Sequence, residues 1–208
     1  MRIGVLASGE GTNLQALLDR VHGREGVRVV AAGSDKPTAR ALERARACGV
    51  ATGAFTRVEH GDRHARDVAM ADWLEEHEVE LVVLAGYMQL LDPAFLARFP
   101  QRVINVHPAL LPAFPGLGAV EQALAYGVKV FGVTVHFVDA GVDTGVVIAQ
   151  RALELADATD AGTVRAALQP LEHDLLCDVV RQLARGAVAR DPAHPRRVLV
   201  TPRYGARR

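Results

Sequence analysis

Residues 2–18 carry the sequence RIGVLASGEGTNLQALL, in which an apolar run, a glycine-rich turn and a helical pattern follow one another. The apolar run is typical of a strand buried in a parallel sheet, and the leucines at the end are spaced for a helix. Gly9 and Gly11 allow the tight geometry of the turn, and Thr12 or Asn13 can cap the helix. This strand–turn–helix unit predicts an α/β fold.

The same turn also indicates a binding site, because exposed N–H groups at a helix N-terminus favour an anion such as a phosphate. Its density of glycine, hydroxyl and amide residues exceeds what a helix cap requires. The turn lacks the Gly-Lys-Ser/Thr of a Walker A loop and the third glycine of the dinucleotide fingerprint. An ordinary capped turn is the alternative interpretation.

Similar units recur along the chain and predict a doubly wound sheet. Further parallel strands are predicted at residues 27–32, 50–55, 81–85 and 103–107. Helices are predicted at residues 39–47, 62–78 and 120–126, and from a cap within 157–163 to about 183. Alternating residues at 128–139, and the run at 146–150, predict an antiparallel extension at the C-terminal end. We expect residues 1–195 to form a single α/β domain with a mostly parallel sheet, and the tail, 196–208, to be mostly disordered.

Composition narrows the classes of partner. The 208 residues include 24 Lys or Arg and 24 Asp or Glu, so the formal net charge is zero and neither nucleic acid nor an anionic membrane is the expected partner. Arg63, His64 and Arg66 open a predicted helix, and most of them are expected to form a solvated face. Cys48 and Cys177 cannot build a disulfide framework, which suits a reducing cytoplasm. No run of residues resembles a signal peptide or a membrane span.

The stretch VINVHPALLP, residues 103–112, indicates chemistry at the end of a buried strand. Asn105 and His107 are two residues apart, so their side chains leave the same face of the strand before Pro108 ends it. Ligands of open α/β sheets bind at the carboxyl ends of strands. An amide can donate to a developing oxyanion, and an imidazole can move a proton near pH 7. A polar pair satisfied within a loop is the alternative.

The pattern Asn105-x-His107-Pro108-x-Leu110-Leu111-Pro112, with Asp143 downstream, resembles the folate-dependent formyltransferase family. Further similar segments are ASGEGTNLQA at 7–16, VLAGYM at 83–88 and TVHFVD at 134–139, and the resemblance spans about residues 2–185. It implies a Rossmann-like formyltransferase fold and a catalytic set of Asn105, His107 and Asp143. The family more often has Ser at the position of Ala109 and His at the position of Gly118.

The resemblance also implies substrates and their binding residues. Formyl transfer would run from 10-formyltetrahydrofolate, as co-substrate, to the amine of glycinamide ribonucleotide in purine biosynthesis. Gly11, Thr12 and Asn13 would hold the phosphate, Glu172 would contact the glycinamide end, and Arg63 would meet the glutamyl tail of the folate. The expected folate pocket consists of Met88, Gln89, Leu90, Leu91, Val138, Asp139, Ala140 and Gly141. Residues 1–100 would serve the phosphate side and residues 101–195 the catalytic and folate side, with no metal and with a possible homodimer.

Several alternatives stay open at this stage. His107 could stabilise an oxyanion as an imidazolium or shuttle a proton. His136 is interpreted as a structural strand histidine, although His107, His136 and Asp143 could be imagined as metal ligands. A nucleotide-binding module without activity would explain the glycine turn but not the catalytic set. The nearest alternatives are a formyltransferase acting on methionyl-tRNA and a formyltetrahydrofolate deformylase, and a dinucleotide-dependent dehydrogenase is a weaker one.

Overall fold

The computed structural model describes residues 1–201, and these form a seven-stranded sheet and a separate two-stranded hairpin. In the large sheet the strand order is β3-β2-β1-β4-β5-β6-β7. The strands are β1 (Arg2–Leu6), β2 (Arg28–Ser34), β3 (Ala51–Ala54), β4 (Leu81–Leu84), β5 (Val103–His107), β6 (Val130–Phe137), β7 (Val147–Glu154), β8 (Val188–Arg190) and β9 (Val198–Val200). The helices are α1 (Thr12–Arg20), α2 (Arg40–Ala47), α3 (Arg57–His60), α4 (Arg63–Glu76), α5 (Pro93–Arg98), α6 (Ala119–Tyr126) and α7 (Ala161–Ala184).

The sheet is parallel from β3 to β5 and antiparallel from β5 to β7. This arrangement confirms the predicted doubly wound, mostly parallel sheet with an antiparallel extension. The strand order reverses at β1, which lies between β2 and β4, so a crevice opens at the carboxyl ends of β1 and β4. In open α/β sheets this is where ligands bind.

Helices cover both faces of the sheet because its central strands are apolar on both sides. Along β1, Ile3 and Val5 face a core that includes residues of α1, α6 and α7, whereas Leu6 faces the core formed with α4 and α5. The second core contains the fully buried rings of Phe95 and Phe99. No helix within residues 1–201 combines the length and the apolar character that a bilayer crossing requires.

The start of α1 differs from the sequence prediction. Its N-cap is Gly11, with φ of 71°, and neither Thr12 nor Asn13 caps it, since no side-chain cap hydrogen bond is present there. A Cβ on Gly11 would lie 2.7 Å from Cα of Ala41, so the close approach of α2 also requires glycine. The backbone conformation of Gly11 therefore determines where the helix begins, and the first N–H groups of the helix have no capping side chain.

A short helix and a C-terminal hairpin were not predicted. The short helix α3 precedes α4, and Thr56 caps it through a bond from the Glu59 N–H. The prediction of a tail mostly disordered beyond about residue 195 is wrong for β9, which pairs with β8 in an antiparallel hairpin. Strands of three residues carry little signal in sequence, and this hairpin gains stability because Val188 and Val198 pack on the core. The rest of the predicted tail, 202–208, lies outside the described residues.

Candidate active site

Three polar side chains meet at the carboxyl end of β5. Asn105 and His107 leave the same face of β5, and Asp143 comes from the turn that follows β6, the antiparallel neighbour of β5. Nδ1 of His107 lies 3.3 Å from Oδ2 of Asp143, and Nδ2 of Asn105 lies 3.3 Å from Oδ1 of the same carboxylate. The structure therefore brings together the three residues that the sequence singled out as a catalytic set.

The Asp143 carboxylate is held ionised by its neighbours. Burial by itself opposes ionisation, but a contact with Nε2 of His136, a hydrogen bond from the Gly116 N–H and the nearby His107 lower the pKa of Asp143 to about 2. The Gly116 bond is 2.8 Å long and anchors the loop after β5 to this carboxylate. At neutral pH the site therefore contains a fixed negative charge between two imidazoles.

The turn that carries Asp143 is shaped by its own backbone. Asp143 adopts a left-handed conformation with φ of 52°, which aspartate tolerates better than most residues. A Cβ on Gly145 would lie 1.6 Å from the Phe137 carbonyl oxygen, so only glycine fits there. Oδ1 of Asp139 accepts bonds from the Gly141 N–H and the Thr144 hydroxyl. These constraints fix the carboxylate beside β5.

Both ring nitrogens of His107 face oxygen atoms. Nδ1 lies near Asp143, and Nε2 lies 2.8 Å from the carbonyl oxygen of Phe114. A neutral imidazole has one N–H and can donate to one of these acceptors, whereas an imidazolium can donate to both. The side chain is 6% exposed, so these contacts are shielded from water. These two contacts fix the orientation of the ring.

His136 belongs to the same cluster, although the sequence interpretation gave it only a structural role. It pairs with Asn105 across the β5–β6 ladder, and its Nε2 lies 3.2 Å from Nδ2 of Asn105 and 3.4 Å from Oδ1 of Asp143. Its Nδ1 lies 2.8 Å from the Phe137 carbonyl oxygen. The signal that could have revealed this role is cross-strand register, which needs the pairing of β5 with β6. Within residues 1–201, no group of three or more His, Cys, Asp or Glu side chains is arranged to hold a metal ion.

A cleft of about 400 Å³ lies directly over this cluster. One wall is the loop between β4 and α5, and the opposite wall is the turn after β6. The cleft is lined by every residue of the expected folate pocket, namely Met88, Gln89, Leu90, Leu91, Val138, Asp139, Ala140 and Gly141. Arg63 is not among the residues that line the cleft; its Nε lies 3.8 Å from Oδ2 of Asp92, at the end of the first wall.

The predicted phosphate turn lies beside this cleft and contacts α7. Nδ2 of Asn13 donates to Oε2 of Glu172 at 2.9 Å, and burial raises the pKa of that carboxyl group. Oδ1 of Asn13 is buried without a partner among the described residues. Ser8 joins the two regions, because its hydroxyl accepts a bond from the Met88 N–H and its own N–H donates to Gly86. A ligand phosphate at α1 would therefore be adjacent to the cleft.

Comparison with known proteins identifies the family. The family described as Formyl transferase matches residues 1–180. A phosphoribosylglycinamide formyltransferase from Mycobacterium tuberculosis is 46% identical over 187 residues, covering 90% of this chain and 86% of the relative. A protein of the same name from Bacillus subtilis is 42% identical over 184 residues, covering 88% and 94%. The crystal structure of glycinamide ribonucleotide transformylase 1 from Symbiobacterium toebii matches with a TM-score of 0.92 at 44% identity, covering 97% of this chain and 94% of that one. The chain belongs to the formyl transferase family.

Proposed function

We propose that this enzyme transfers a formyl group from 10-formyltetrahydrofolate to the amine of glycinamide ribonucleotide, yielding formylglycinamide ribonucleotide in purine biosynthesis. The observation that carries the proposal is the meeting of Asn105, His107 and Asp143 under a cleft of about 400 Å³. Pockets of 300–1,000 Å³ are typical of small-molecule sites. The names of the relatives support the choice of substrates.

Asn105 is proposed to stabilise the oxyanion of the tetrahedral intermediate. In the reaction the amine nitrogen attacks the formyl carbon, and the carbonyl oxygen gains negative charge. The Asn105 amide has two hydrogens; its nitrogen lies 3.3 Å from Asp143 and 3.2 Å from His136, and under this proposal one hydrogen turns to the oxyanion when the substrates are bound. A donor of this kind contributes on the order of 3 kcal/mol to transition-state stabilisation.

His107 is proposed to stabilise the oxyanion in its imidazolium form rather than to shuttle a proton. A shuttle would have to release the contact of Nε2 with the Phe114 carbonyl or that of Nδ1 with Asp143. An imidazolium keeps both contacts and places positive charge next to the developing oxyanion, at low solvent exposure where electrostatic interactions are strong. The amine proton would then leave through water held by Asp143 and reach the departing folate nitrogen.

The substrates are proposed to occupy the two adjoining regions. The phosphate of glycinamide ribonucleotide would bind the N–H groups of Gly11, Thr12 and Asn13, and its glycinamide end would reach Glu172. The folate ring would lie between residues 88–91 and 138–141, with its glutamyl tail toward Arg63. Under this proposal both halves of a single domain, 1–195, contribute to each region: residues 1–100 supply the phosphate turn and one wall of the folate pocket, and residues 101–195 supply the catalytic set, the other wall and Glu172. A cytoplasmic location, a homodimer and chemistry without a metal belong to the same proposal.

The test is to incubate the purified chain with both substrates and to detect the formylated product by mass. We expect product in the wild type, loss of at least about 99% of turnover in His107→Ala, and retention of the far-UV circular dichroism spectrum. His194→Ala is the matched control, because His194 is exposed in the hairpin connection far along the chain. Absence of product with native, saturable ligand binding would refute the proposed reaction and favour a binding module.

A further inference from the structure

The loop between β4 and α5 is attached to the protein through a buried ion pair that the proposed mechanism does not use. Arg66 and Asp67 lie in the first turns of α4, and their side chains are 1% and 0% exposed. The sequence interpretation expected most cationic residues of this turn to form a solvated face. That expectation suits Arg63 and His64, with side chains 47% and 64% exposed, but Arg66 is buried and bonds the loop at Gln89 and Leu90.

The guanidinium of Arg66 binds three groups at once. Nε donates to Oδ1 of Asp67 at 2.7 Å, Nη1 donates to the side-chain oxygen of Gln89 at 3.2 Å, and Nη2 donates to the carbonyl oxygen of Leu90 at 3.3 Å. The remaining carboxylate oxygen of Asp67 accepts a bond of 2.6 Å from the Asp92 N–H. One buried ion pair therefore bonds residues 89, 90 and 92 on the side of the loop that faces away from the cleft.

The front of this loop faces the cleft, and its further anchors are a 3.0 Å bond from Nε2 of Gln89 to Oδ2 of Asp35 and the buried side chain of Leu91. Met88 and Leu90 are each 55% exposed, so burial contributes little to the position of these two side chains. The Met88 N–H bonds the Ser8 hydroxyl at 2.9 Å, which fixes the beginning of the loop only. Because burial does not hold the side chains of Met88 and Leu90, their positions depend on the backbone. Arg66 bonds that backbone at Leu90, and Asp67 bonds it at Asp92.

We propose that Arg66 and Asp67 are positioning residues for the folate pocket, which they build by fixing the backbone of residues 89–92. This inference rests on the proposed function, because the folate is assigned to this cleft there. Neither residue lines the cleft. Their effect would act through Leu90 and its neighbours, and it would therefore change binding of the folate more than binding of the ribonucleotide or the chemical step.

The experiment combines steady-state kinetics with hydrogen exchange of the substrate-free protein. In Arg66→Met we expect the KM for 10-formyltetrahydrofolate to rise about tenfold, with the KM for glycinamide ribonucleotide within about twofold and kcat within about threefold. Amide exchange at residues 88–92 should become about tenfold faster, whereas exchange in β1 and β4 should be unchanged. Arg66→Lys keeps the charge but not the fork of donors, so its KM for the folate should lie between those of the wild type and Arg66→Met.

A second variant removes both partners of the ion pair, so that a failure of the single variant to fold does not end the test. Arg66→Met alone leaves Asp67 buried without its cation, whereas the double variant Arg66→Met with Asp67→Leu leaves no unpaired charge and commonly folds. Arg98→Met is the matched control, because Arg98 joins α4 to α5 through Asp72 and Glu75 at the surface, and all kinetic constants should be unchanged.

The outcomes are distinguishable. A folded double variant with wild-type folate KM and wild-type exchange at residues 88–92 would overturn the positioning role. A similar rise in both KM values together with a fall in kcat, and faster exchange throughout the sheet, would also overturn it and leave only a structural role. If the wild type forms no product, the proposed function fails, and the exchange measurement still decides whether the ion pair holds the loop.

Discussion

Replacing Asp143 by Asn removes one charge from the candidate active site and keeps the shape of the side chain. The carboxylate accepts a bond from the Gly116 N–H, lies near both His107 and His136, and contacts Asn105. An amide oxygen can keep one of these bonds, but the amide nitrogen cannot accept any. We therefore expect losses in both stability and turnover.

The size of the stability loss follows from the pKa of Asp143. The pKa falls from its ordinary value of 3.8 to about 2 in the folded protein. At roughly 1.4 kcal/mol per pH unit, this corresponds to about 2 kcal/mol that favours the folded state when the carboxylate is ionised. Because the folded pKa is the lower one, this contribution is complete above about pH 4 and disappears as the pH falls toward 2.

Urea unfolding of the wild type and of Asp143→Asn measures this contribution directly. At about pH 7 the variant should be less stable by about 2 kcal/mol, and the difference should shrink as the pH is lowered from about 4 toward 2. In the formyl transfer assay, kcat should fall by about 100-fold or more, because His107 loses the carboxylate that orients it. Asp178→Asn is the control, since Asp178 forms an exposed pair with Arg151 and should change stability by less than about 1 kcal/mol.

Three results would refute this reasoning. Equal stability of wild type and variant at neutral pH would mean that the contacts of Asp143 do not favour its ionised form. A stability difference that grows on acidification would mean that the sign of the pKa change is wrong. Near-complete activity of a well-folded variant would remove Asp143 from the catalytic set.

Three further predictions concern other parts of the molecule. Gly145→Ala would place a Cβ 1.6 Å from the Phe137 carbonyl oxygen, so the turn must move, and kinetics should record a fall in kcat of at least about tenfold. Burial raises the pKa of Glu172, so its contribution to stability is complete below its ordinary value of 4.5 and is lost as the pH rises through the higher folded value. Glu172→Gln should therefore melt above the wild type near pH 7 but not near pH 4, while the KM for glycinamide ribonucleotide rises. An equal or lower melting temperature near pH 7 would contradict this. Phe95→Ala empties a fully buried site and should cost about 3–5 kcal/mol in denaturant unfolding, and a loss below about 1 kcal/mol would show that the core collapses around it.

Much of the fold could be predicted because each strand of the large sheet has a recognisable local pattern of apolar residues. Continuous apolar runs such as residues 81–85 belong to strands buried on both faces, and helical patterns between them imply parallel crossovers. The spacing of Asn105 and His107 placed both side chains on one face of a strand, as the structure confirms. The three-residue strands β8 and β9 and the glycine cap of α1 were not predictable in this way, because pairing and the approach of α2 determine them.

The candidate site was only partly predictable for a related reason. Asp143 was identified through a family resemblance, since 36 residues separate it from His107 and no periodicity connects them. The share of His136 in the cluster depends on the β5–β6 register, and the burial of Arg66 depends on how the loop and α5 lie over α4.

The amino-acid sequence by itself determined the order of the seven strands of the large sheet and of most helices along the chain, and the face on which the amide and the imidazole lie, because hydrophobic period and side-chain alternation are local properties of a chain. Tertiary structure alone decided which charges are buried and which nitrogen meets which oxygen. Those distances are set by segments far apart in sequence, and the interactions exist only after the core has brought the segments together.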